Sequence, residues 1–281
     1  MQWNGFASGL FLHQSIFNHA CPQFANCDKS AVAAGGGARG GGGAAAAAGG
    51  APLSVVRATR PIARGEQCCI SYVQPPELLA AERAERLRQF DFGCTCTGES
   101  PFDALAAAGG GKRRRADADD EPGVRAIQGA AREVDAALGA PPEATEPLVR
   151  AALRPLRRAC AGPRHLALAA AHRRIVAALG SARRLRAAPP ACAALALECA
   201  VELWATQRAL LGPLHPDGAE TLRHVGALLQ HLLASAPQLL FERFPDWGTA
   251  AAAAHAERRA MQLHAGIARL YDNGRVAREE K

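Results

Sequence analysis

The chain has 281 residues, enough for one large domain or two ordinary ones, and it is 49% apolar but only 5% aromatic. No uninterrupted apolar run approaches the ~18 residues of a membrane-spanning helix, and the first 20 residues lack the basic start of a secretory signal. The formal charge of +7 is concentrated, because the stretch from Arg150 to Arg186 is rich in arginine and contains no acidic residue. That stretch also lacks aromatics for base stacking and any nucleic-acid motif, so it reads as a solvated basic surface or a face for an acidic partner. Solvated basic surface ranks first and nucleic-acid binding a weak second.

Nine cysteines without the spacing of a disulfide framework point to a reduced chain in the cytoplasm or nucleus. In chain order, Ala31–Ala51 is almost entirely Gly and Ala, a composition whose backbone entropy opposes ordering, and it reads as an insert. Leu53–Thr59 has strand composition, Pro61–Glu66 supplies a turn, and Gln67–Tyr72 reads as a returning strand. The two-residue period puts Cys68, Ile70 and Tyr72 on one face, Cys69 and Ser71 on the other. Cys68 and Cys69 are expected to be buried as small hydrophobes. Pro75-Pro76 ends the strand, and Glu77–Phe90 follows as an amphipathic helix with apolar Leu78, Leu79, Leu87 and Phe90.

Residues 106–123 read as a Gly-rich, charged linker, in which Lys112–Arg115 is either a nuclear-localisation cluster or a solvated charge run. Beyond it, Pro and Gly punctuate predicted helices at 125–138, 145–160, 163–180, 190–211, 217–235 and 248–271. Their alternation suggests stacked helical hairpins of solenoid type. The expected fold class is therefore α+β. A β-rich region at 1–105 precedes a helical domain at 124–281.

The chemistry-bearing residues lie in the first part. Asn18-His19 beside Cys21 and Cys27, a tyrosine closing a strand, and Cys94-x-Cys96 form a thiol-rich set suited to zinc. No serine-hydrolase elbow or HExxH motif occurs.

Gly9–Cys21, with Asn18-His19-Ala-Cys21, resembles the Asn-His-x-Cys segment of SET-domain lysine methyltransferases. Arg57–Tyr72, with Gly65-Glu66 and Tyr72, is similar to that family's hairpin. Phe92-Gly-Cys94-Thr-Cys96 resembles the start of its post-SET segment. Order and spacing are most similar to the SET–MYND branch, which also carries a tetratricopeptide-like helical domain. The resemblance implies a partial SET domain acting on a lysine of a protein substrate. It further implies that Asn18, His19 and Phe92 contact S-adenosylmethionine, that Tyr72 is catalytic, and that Cys21, Cys94 and Cys96 bind zinc. The helical domain would offer a face to a protein partner.

Three departures from the family pattern stand out. The family's Gly-x-Gly cofactor loop and MYND finger have no counterpart in these residues, and the Asn-His-x-Cys run is two residues longer before Asn26. Glu99 stands at the third post-SET cysteine position, so Glu99, Cys27 or water would complete the zinc shell. The alternative function is a catalytically inactive SET remnant whose helices serve as an interaction scaffold.

Overall fold

The computed structural model describes residues 5–6, 9–10, 17–32, 53–90, 93–94, 102, 122–160 and 162–272. Most of the Gly/Ala insert, most of the 106–123 linker, Phe92, Cys96 and Glu99 lie outside these residues. The architecture is α+β, mostly helical with a small mixed sheet. The strands are β1 (Gly5–Phe6), β2 (Gly9–Leu10), β3 (Asn18–His19), β4 (Cys27–Val32), β5 (Leu53–Ala58) and β6 (Cys69–Ile70). The helices are α1 (Ala80–Leu87), α2 (Pro122–Leu138), α3 (Pro142–Ala159), α4 (Leu166–Leu179) and α5 (Ala182–Ala187). They continue with α6 (Pro190–Leu211), α7 (Pro216–Ser235), α8 (Pro237–Arg243) and α9 (Ala250–Asp272).

The sheet order is β3-β6-β4-β5. Strand β5 pairs antiparallel with β4, Cys27 opposite Ala58 and Val32 opposite Leu53. Strand β6 lies between β3 and β4 and runs parallel to both. This corrects the expected hairpin of Leu53–Thr59 with Gln67–Tyr72. The ladder in the second of those segments is only Cys69–Ile70, because the Asn26 side chain occupies the polar groups at its entry. Asn26 is buried; its Nδ2 donates to Gln67 O (2.8 Å) and Glu66 Oε1 (3.0 Å), and its Oδ1 accepts from the Cys69 N–H (2.8 Å). With so short a strand, alternation fails: Ile70 is fully buried, whereas Cys68 is exposed and Cys69 half-buried. The expectation that both cysteines are buried is corrected accordingly.

Helix α1 starts where the Glu82 carboxylate accepts the Leu79 N–H (2.8 Å), which satisfies a donor the helix leaves open. Two helices of the second part begin on histidine caps. His165 Nδ1 accepts from Ala167 N (3.1 Å), and His215 Nδ1 from Asp217 N (3.2 Å). The apolar stripes of α2, α3, α4, α6, α7 and α9 merge into one core that includes Leu156, Ile175, Leu197 and Leu228. Among the described residues, no helix is long and apolar enough to cross a membrane.

The sheet region rests on this core. Leu79 packs against it, and Gly212, with φ +91°, lies against Thr59, where an added Cβ would come within 2.9 Å of the Thr59 carbonyl oxygen. The polar link is Glu77, whose Oε1 accepts from Arg173 Nη2 (2.6 Å) and Gln207 Nε2 (3.1 Å). Since most of the buried apolar side chains belong to the helices alone, a fragment spanning 122–272 is expected to melt cooperatively. Its midpoint should fall below that of the full chain by about 5 °C, equivalent to a few kcal/mol of lost interface. Circular dichroism melts of the two proteins check this; a non-cooperative fragment melt would show that the helices depend on the sheet.

Candidate metal and cofactor site

The site forms where β3 and β6 run side by side. Their register sets Asn18 opposite Cys69 and His19 opposite Ile70, and Ala20 N donates to Ile70 O (3.1 Å). The chain then turns at Cys21, whose carbonyl accepts from Phe24 N and Ala25 N. This crossing brings Tyr72 against the segment from 17 to 19. The Tyr72 hydroxyl donates to the Phe17 carbonyl (2.5 Å), and the Tyr72 N–H donates to His19 Nδ1 (3.1 Å). The Tyr72 ring packs at 5.3 Å from His19 and 5.1 Å from Phe90.

Cys21 is fully buried. Its Sγ lies 3.7 Å from Cys94 Sγ and 3.8 Å from His19 Nε2. The three ligand atoms fall within 4.8 Å of one another, a spacing that can hold a metal ion. Two thiolates sharing a tetrahedral ion at ~2.3 Å define an edge of ~3.8 Å, and a thiolate with an imidazole nitrogen an edge of ~3.6 Å. The Cys21–Cys94 and Cys21–His19 separations are compatible with a shared ion.

Burial and the neighbouring Arg83 guanidinium push the His19 pKa down to about 4, which keeps the imidazole neutral near pH 7. With Nδ1 accepting from Tyr72, the ring proton sits on Nε2, facing Cys21. His19 ligates only on loss of that proton. Otherwise it donates an N–H···S bond that steadies the thiolate.

Of the sequence-predicted residues, the structure brings His19, Tyr72, Cys21 and Cys94 together. Asn18 is exposed at the start of the same strand. Cys27, one of the alternatives for the zinc shell, is drawn elsewhere: burial and its contact with the Cys68 thiol push its pKa up to about 11. Arg83 was missed by sequence reasoning. It is fully buried on α1, and its Nη1 donates to Leu78 O (2.5 Å). The signal was present, because Arg83 stands four residues from both Leu79 and Leu87 and therefore shares their buried face. Glu66, of the Gly65-Glu66 motif, closes the turn by accepting from Ala63 N (2.9 Å) and Arg60 (2.7 Å), contacts that hold its carboxyl down at about 2.

No protein-family profile matches the chain, and no curated protein matches it in sequence.

Proposed function

We propose that the chain carries the cofactor-facing and catalytic-tyrosine part of a SET-type, S-adenosylmethionine-dependent protein-lysine methyltransferase of SET–MYND kind, tied by zinc. The observation that carries this reading is the meeting of three motifs distant in sequence. The Asn18-His19 segment, Tyr72 and Cys94 converge within two hydrogen bonds and one thiol contact. S-adenosylmethionine, when bound, supplies the methyl group on a sulfonium. The protein's part is to orient a neutral lysine amine. Tyr72, fixed by its bond to Phe17, offers a hydroxyl oxygen toward which an amine N–H can be directed, and the apolar setting of Phe90 disfavours a charged ammonium.

Calorimetry with S-adenosylmethionine, paired with methyl transfer to a lysine-containing peptide, tests the reading. Asn18→Ala is expected to weaken cofactor binding about tenfold. Tyr72→Phe is expected to leave binding intact and lower transfer at least a hundredfold. Absence of cofactor binding to the folded chain would instead favour the inactive scaffold.

The metal has its own test. Purified under reducing conditions, the chain should carry one zinc, lost in the Cys21→Ser/Cys94→Ser variant with little change in helix content, since the helical core contains none of the ligands. A metal-free parent protein would leave these thiols as ordinary cysteines.

A further inference from the structure

The helical half holds a concave site separate from the cysteine cluster. Between α6, α7, α9 and the turn Pro245–Trp247 lies an open-mouthed cavity of about 630 Å³, within the size of small-molecule sites. Its wall contains Trp204 and Trp247, both half-buried, with Leu229 fully buried beside them. Phe244 stacks on Trp247 (centroids 4.9 Å, 17°), which fixes the indole, and the Arg208 guanidinium sits 5.6 Å from the Trp204 ring centroid. A hollow of this size with an aromatic wall and a few polar groups at its rim has the make-up of a small-molecule site.

The rim is charged in a particular way. Arg208, Arg259, His255 and Asp246 line the cavity and are exposed. Several arginines elsewhere in the helices are paired, Arg150 with Glu198, Arg157 with Glu202, Arg173 with Asp217, Arg174 with Asp135 and Arg223 with Glu220, whereas others such as Arg154 and Arg158 stand on open helix surface rather than around a hollow. Among the described residues, neither Arg208 nor Arg259 pairs with a carboxylate, not even with the Asp246 that shares their cavity. Two guanidiniums against one carboxylate leave an uncompensated positive rim around an aromatic hollow. A cation would be repelled there, and a wholly apolar molecule would leave the guanidiniums without a countercharge. Forked N–H donors suit a planar anionic group.

We infer that this cavity binds a small amphipathic anion, with its apolar body against Trp204, Trp247 and Leu229 and its carboxylate- or sulfonate-type group at Arg208 and Arg259. The test uses the full chain and two fluorescent probes of nearly the same shape. One is 1-anilinonaphthalene-8-sulfonate; the other is neutral N-phenyl-1-naphthylamine.

The anionic probe should saturate a single site about tenfold more tightly than the neutral one, with an advantage that shrinks as salt is raised. Arg208→Gln/Arg259→Gln should remove that advantage and leave the neutral probe unchanged. Ala256→Trp, which fills the cavity, should abolish binding of both. Circular dichroism confirms that the variants fold; should Ala256→Trp lose helix signal, Leu229→Phe supplies the filling. Equal affinity for the two probes, or no effect of the glutamines, would overturn the anionic ligand class. Binding that survives both fillings, or no saturable binding at all, would overturn the site.

Discussion

Arg173→Met is expected to destabilise the full chain by about 3 kcal/mol, the low end of the range for breaking a buried ion pair. The low end applies because the Arg173 side chain is 36% exposed while that of Glu77 is only 1% exposed. In the native protein Arg173 bridges Glu77 Oε1 (2.6 Å) and Asp217 Oδ2 (2.9 Å). Without it, Glu77 keeps Gln207 as a hydrogen-bond donor, but its charge stands buried and uncompensated, and its Oε2 already has no hydrogen-bond partner.

The Gln207 amide cannot supply the missing charge: its NH2 already donates to Glu77, its Oε1 accepts from Thr221 Oγ1 (2.7 Å), and the group is neutral. Adding Glu77→Gln to Arg173→Met should restore most of the loss, because a neutral amide needs no countercharge and its oxygen still accepts from Gln207. Urea titrations of the single and double variants measure this coupling. A double variant no better than Arg173→Met would mean that Arg173 acts through packing of its aliphatic stem.

This cluster also shows where the sequence was legible and where it was not. The long helices were readable because proline and glycine mark their ends and their apolar stripes repeat at helical spacing. The predicted 190–211 coincides with α6, and 217–235 differs from α7 by one residue. The short helices Ala182–Ala187 and Pro237–Arg243 were missed, being too brief for periodicity to register.

Glu77 read as the polar opening of an amphipathic helix. Its burial is set by Arg173 and Gln207, roughly a hundred residues away, and no local pattern carries that. The parallel pairing of β3 with β6 is equally non-local, and the entry to β6 is fixed by the Asn26 side chain rather than by strand composition. The site itself was more accessible, since His19, Cys21, Tyr72 and Cys94 were identified from motifs and lie together. Arg83 went unread, although the four-residue spacing that buries Leu87 and packs Leu79 against the core buries it too.

Lowering the pH from 7 to 4.5 is expected to cost the native protein about 3 kcal/mol relative to a His172→Leu variant. His172 is 1% exposed on α4, and burial together with the nearby Arg157 charge lowers its pKa from 6.5 to about 3. Glu202 Oε2 lies 3.4 Å from Nε2 but belongs to a side chain 39% exposed, so it does not hold a proton on the ring.

A folded-state pKa below the unfolded one means that the unfolded chain binds the extra proton between about pH 6.5 and 3. Stability from this residue is therefore full above 6.5 and falls by about 1.4 kcal/mol per unit of acidification. Two units below 6.5 give the stated loss. The absolute profile also contains His19, His215 and His224, lowered in the same sense. Asp28 is raised to about 6 by burial and Asp217 and acts in the opposite sense. For that reason the difference between the two proteins is the quantity to measure, by urea titration at pH 7 and pH 4.5.

Leucine suits this position because Nε2 makes no hydrogen bond in the folded protein. The variant should match the parent at pH 7 within about 1 kcal/mol and exceed it in acid. Parallel pH profiles for the two proteins would show that His172 is protonated in the fold, and that the burial assigned to it is wrong.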